Sequence, residues 1–76
     1  MEKFDFQNNG TAIILSGKTK SHFALLDCIT GVSVDGNEFA IHLTGEGIND
    51  YASDHTEAII IAAKIMDAVL ERKAKS

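Results

Sequence analysis

At 76 residues the chain suffices for one domain, but its core is marginal, and such chains usually need disulfides, a metal, oligomerisation or very tight packing. The single cysteine, Cys28, excludes an internal disulfide, and His22, His42 and His55 are too widely separated for a metal-ligand pattern, which leaves oligomerisation or tight packing. Net charge is −4, and between Ser21 and Ala63 there is no Lys or Arg against seven acids, a middle block that would repel phosphate and disfavours direct nucleic-acid binding.

The first candidate strand is Phe4-Asp5-Phe6-Gln7, about residues 3–7, which alternates apolar and polar. Asn9-Gly10 then signals a type I′ hairpin. The return strand, about 11–15, sets Phe6 opposite Ile13 and Phe4 opposite Leu15. Ser16 to Ser21 reads as a polar loop. Residues 22–34 read as one long strand, with Gly31 marking a bulge or bend. Asp35-Gly36-Asn37 is a second turn, and a strand at about 38–44 places Phe39 and Ile41 on the same face as Val32 and Val34. Gly45 to Asp50 is turn-rich; Ile48 or Tyr51 tucks under the sheet or forms a short fifth strand.

A helix is predicted over about 54–73, with Asp54 as N-cap and Glu57 at the capping-box spacing. Its apolar residues cover an arc of roughly 220°, about twice what a surface helix needs. Ile60 falls outside that arc, among Asp67, Glu71 and Lys64. The expected fold is α+β: an antiparallel β-meander of four strands, or five, followed by one C-terminal helix packed on one face.

Chemistry-bearing patterns are sparse. Gly17-Lys18-Thr19 resembles the end of a phosphate-binding loop, but Ala12 stands where the first glycine belongs and a strand pattern follows instead of a helix. Cys28 is expected in the core. No Ser-His-Asp or Cys-His-Asp set assembles in the sequence, and no cofactor or metal motif is present, so no enzyme is expected. A free cysteine without an export signal fits the cytoplasm. The longest apolar run, Ala58 to Ala63, falls far short of the roughly 20 residues that span a bilayer.

The functional expectation is therefore a small protein-interaction module, a compact inhibitor or adaptor of the kind phages and mobile elements direct at host proteins. Asp35, Glu38, Glu46, Asp50, Asp54 and Glu57 would present an acidic surface to a basic partner. Ile59, Ile60, Ile61, Ile65, Met66 and Val69 would join two copies as a homodimer, supplying the core that so short a chain lacks. The alternative is a small-ligand or regulatory module with a pocket between sheet and helix, lined by Phe39, Ile41, Tyr51 and Met66.

Overall fold

The structure, a computed structural model, describes residues 3–75. Its elements are β1 (Asp5–Asn8), β2 (Ala12–Ser16), β3 (Ser21–Leu25), one 3-10 turn (Leu26–Cys28), β4 (Ile29–Asp35), β5 (Glu38–Leu43), β6 (Glu46–Tyr51) and α1 (His55–Lys75). The class is α+β with a C-terminal helix, as expected. The single meander is not: the strands form two antiparallel sheets, β1-β2-β3 and β4-β5-β6.

Residues 22–34 are not one strand, and the core explains why. Ala24, Leu26 and Ile29 are all buried, yet strict alternation would send Ile29 to the face opposite the other two. The 3-10 turn at Leu26–Cys28 breaks the alternation as the chain crosses between sheets, anchored by the Leu26 N–H donating to Thr11 O at 2.9 Å. A register shift between Ile29 and Gly31 makes a second correction. Ile29 then stands opposite Leu43 while Val32 and Val34 stand opposite Ile41 and Phe39, so the expected bulge near Gly31 is present.

Both early hairpins turn on a glycine in first central place. Asn9 N–H donates to Ala12 O at 3.2 Å, which makes Gly10 and Thr11 the central pair. Only Gly10 has positive φ, 89°, the sign pattern of a type II′ turn and not of the expected I′. The Asn9 side chain explains the choice: its Oδ1 accepts from the N–H groups of Thr11 and Ala12 at 3.0 and 2.9 Å. Register moves by two residues, so Phe6 faces Leu15 and Asn8 faces Ile13. An even shift leaves the inward face intact. Gly36, at φ 64°, opens the second turn the same way, with Asp35 opposite Glu38.

The turn-rich stretch after Leu43 is the full strand β6, paired with β5 from Leu43↔Glu46 to Glu38↔Tyr51. Helix α1 packs mainly on β4, with further contact to β5, the 3-10 turn and β1. Ala58, Ile61, Ile65, Ala68 and Val69 are its buried face, against Leu15, Phe39 and Ile41 of the sheets. Each large side chain so buried contributes roughly 1.5–3 kcal/mol. The N-cap forms as expected, Glu57 N–H donating to Asp54 Oδ1 at 2.8 Å. Cys28 is half-buried and not in the core, because the 3-10 turn carries it to the rim where the sheets part. Among the described residues, no helix is long and apolar enough to cross a membrane.

Candidate functional site

The six acids expected to share one surface divide by environment. Asp50 lies opposite Phe39 on the inner side of β6 and is 7% exposed. Its Oδ2 lies 2.6 Å from His22 Nε2, its Oδ1 lies 3.5 Å from Lys20 Nζ, and the Tyr51 N–H donates to Oδ1 at 2.7 Å. With the carboxylate ionised, Nε2 carries the proton of that His22 hydrogen bond. Burial pushes the Asp50 carboxyl up, but the hydrogen bonds from His22 and Tyr51 and the charges of Lys20 and His22 hold it below the usual range. The group joins β3 of one sheet to β6 of the other.

Glu57 is the second buried acid. One oxygen accepts the Ser53 N–H at 2.6 Å and the other the Phe4 N–H at 3.0 Å. Burial again raises its pKa, and hydrogen bonds from Ser53 and Phe4, with the charge of Lys3, bring it below the usual value. This glutamate closes the cap and fastens the segment before β1 to the start of α1. Asp50 and Glu57 are therefore internal groups, withdrawn from any contact surface, and Asp54 is held at the cap. Asp35 and Glu38 face each other beside the second turn, and Glu46 sits at the other end of β5, five residues away or about 17 Å. The structure does not bring the six together.

The helix residues divide as well. Ile61, Ile65 and Val69 are core, no more than 3% exposed. Ile59 is 48% and Leu70 59% exposed, and with exposed Ala63 and half-buried Met66 they form an outer stripe at three- and four-residue spacing. Leu70 and Ala63 belong to the predicted arc but not to the residues assigned to self-association. Ile60, also 48% exposed, projects away from this stripe, one helical step of about 100° beyond Ile59.

Two arrangements escaped the sequence. Ser33 Oγ and His42 Nε2 are 3.0 Å apart on the outer side of the second sheet, where both are exposed on neighbouring strands. Gly31, Ala40, Gly47 and Asn49 surround them on that face, and the pair works as a cross-strand hydrogen bond. Phe23 and Leu25, 66% and 54% exposed, lie on the outer side of β3, beside a cleft of about 220 Å³ that also touches Cys28, Leu43 and Glu46.

The pocket expected from Phe39, Ile41, Tyr51 and Met66 does not form: Phe39 and Ile41 are fully buried and Tyr51 is 54% exposed. The larger groove, about 280 Å³, runs instead between β1 and the first half of α1, with Phe4, Phe6, Ile60 and Ile61 as its apolar lining and Lys3 and Lys64 as its cations. Among the described residues, no three His, Cys, Asp or Glu side chains are grouped to hold a metal. No family model matches the chain, and no curated protein or solved structure matches it.

Proposed function

We propose that the chain is a small non-catalytic protein-interaction module, an inhibitor or adaptor, which acts as a homodimer joined through the outer stripe of α1. The observation that supports this is the exposure of Ile59 and Leu70, with Met66 and Ala63 between them, on a helix whose other large aliphatic face is already buried. The spacing matches the narrow seam of paired helices, and the alanine allows close approach. A seam of this kind adds apolar burial to a core that is small for an independent fold.

The acidic contact surface reduces to Asp35 and Glu38 at the second turn, with Glu46 apart from them. Such exposed charge serves encounter and selection of a basic partner more than raw affinity. Light scattering behind a sizing column tests the dimer. The expected mass is twice 8.2 kDa, and Ile59→Glu with Leu70→Glu should yield a folded monomer, since both positions are already exposed, by 48% and 59%. A wild-type monomer at every loading concentration would remove the dimer from the proposal.

A further inference from the structure

The outer stripe of α1 extends at both ends past the residues that carry the dimer. At about 100° per residue, His55 lies four residues before Ile59 on the same face, and Lys73 lies three beyond Leu70. Both are exposed. His55, Ile59, Ala63, Met66, Leu70 and Lys73 thus form one line about 27 Å long, and its ends are unlike. At the start, His55 Nδ1 donates to Gly36 O, in the turn that carries Asp35 and Glu38, and the exposed N-cap Asp54 precedes it. At the other end the last turn holds Arg72, Lys73 and Lys75. The middle is unlike as well. Small Ala63 and long Met66 stand equally far from the midpoint between Lys64 and Ile65, and so do Ile59 and Leu70.

Two copies of such a line can run the same way or opposed. Run the same way, each residue meets itself. Met66 then crowds Met66 beside a hollow between two Ala63 side chains, the cationic last turns lie together, and the helix dipoles align unfavourably. Opposed about the midpoint, Met66 fills the space over Ala63 of the second copy and Ile59 meets Leu70. The cationic end of each helix then lies at the acidic start of the other, with the dipoles opposed. We propose that the stripe takes a second copy in the antiparallel sense, and that the basic partner of the acidic end formed by Asp35, Glu38 and Asp54 is the last turn of α1 in that copy. This rests on the dimer proposed above and gives it a direction: the two second turns stand at opposite ends of the helix pair.

Directed cross-linking of the full chain tests the sense. Cys28→Ser removes the native thiol, and Ile59→Cys and Leu70→Cys are added to it in separate chains, both at exposed positions. Light scattering first reads the mass of each. Mixed and mildly oxidised with copper phenanthroline, the two should give at least tenfold more disulfide-linked dimer than either alone. A disulfide needs Cα atoms within about 7 Å, whereas antiparallel pairing holds like positions about 16 Å apart. Lys73→Glu should weaken the dimer by up to about fivefold at low salt and hardly at high salt. Self-linking of either variant equal to the mixture would overturn the antiparallel sense. So would a dimeric mass with no linking at all, or a dimer left unchanged or tightened by Lys73→Glu. A wild-type monomer at every concentration would instead remove the dimer itself, and its direction with it.

Discussion

Where α1 packs on β4 and β5 its buried side chains include Ile61, Ile65 and Val69, all nearly inaccessible, whereas β3 meets β6 through His22 and Asp50, with Lys20, just before β3, beside them. One joint is apolar and the other ionic, and each should fail in its own way. Burial of aliphatic surface has no direction and no titration, so the helix joint responds to lost volume. The Asp50 joint needs a charged form and exact partners, so it responds to protons and to deletion of a donor.

The largest effect should come from the apolar joint. Ile65, fully buried, should cost about 2–5 kcal/mol on Ile65→Ala, read from the urea midpoint at constant slope. Ile65→Glu should unfold the chain and not merely dissociate it. If Ile65→Ala costs less than a typical surface change, the buried face of α1 does not hold the helix to the sheets.

Breaking the ionic joint should cost less. Asp50→Ala leaves His22 and Lys20 without their common partner and should destabilise by about 2–3 kcal/mol. The pH dependence sharpens the contrast. Asp50 and Glu57 both have folded pKa values below their ordinary ones. Their stabilisation is therefore fully present above the unfolded carboxylate pKa, about 4, and is lost as pH falls through the lower folded values. Melting temperature should thus fall on acidification below about pH 5, and Asp50→Ala should flatten that fall. An Asp50→Ala profile parallel to wild type would show that the joint does not titrate as described.

The apolar joint was legible in the sequence and the ionic one was not. Ala58, Ile61, Ile65 and Val69 recur at helical spacing, and Asp54 and Glu57 announce the cap, because both are local patterns. The inward parity of Phe39, Ile41, Val32 and Val34 survived every register change for the same reason. Asp50 meets His22 from 28 residues away, and no periodicity carries that distance. Composition alone made Asp50 and Glu57 look like surface charge. Strand β6 was hidden by Gly47, Asn49 and Asp50, residue types poor in strands, until pairing along β5 overrode local preference. The two-sheet division was hidden because residues 21–35 carry apolar side chains along their whole length with no turn pair of residues to break them, and only the burial of both Leu26 and Ile29 demands a break. Ile60 was the one visible sign of the groove: an aliphatic residue on an otherwise charged side of the helix.

The smallest effect should fall at the far end of α1, where Arg72 makes a third kind of joint. Its Nε and Nη2 donate to the two Asp27 oxygens at 3.1 Å each, and its Nη1 reaches Gly10 O. The geometry is bidentate, and the pair holds the Asp27 carboxyl below its usual range. Both side chains are nonetheless open to water, 36% and 70% exposed, and ion pairs in that setting are screened and stabilise little. Arg72→Gln should therefore leave the global urea midpoint nearly unchanged, and any difference should vanish at high salt. Its signature should be local: faster amide hydrogen exchange in the last turn of α1 and at the first hairpin, because the tie between them is gone. A large global loss would instead mean that the 3-10 turn and the helix end belong to the same cooperative core as Leu26 and Ala68, and that the exposed pair stabilises that core directly.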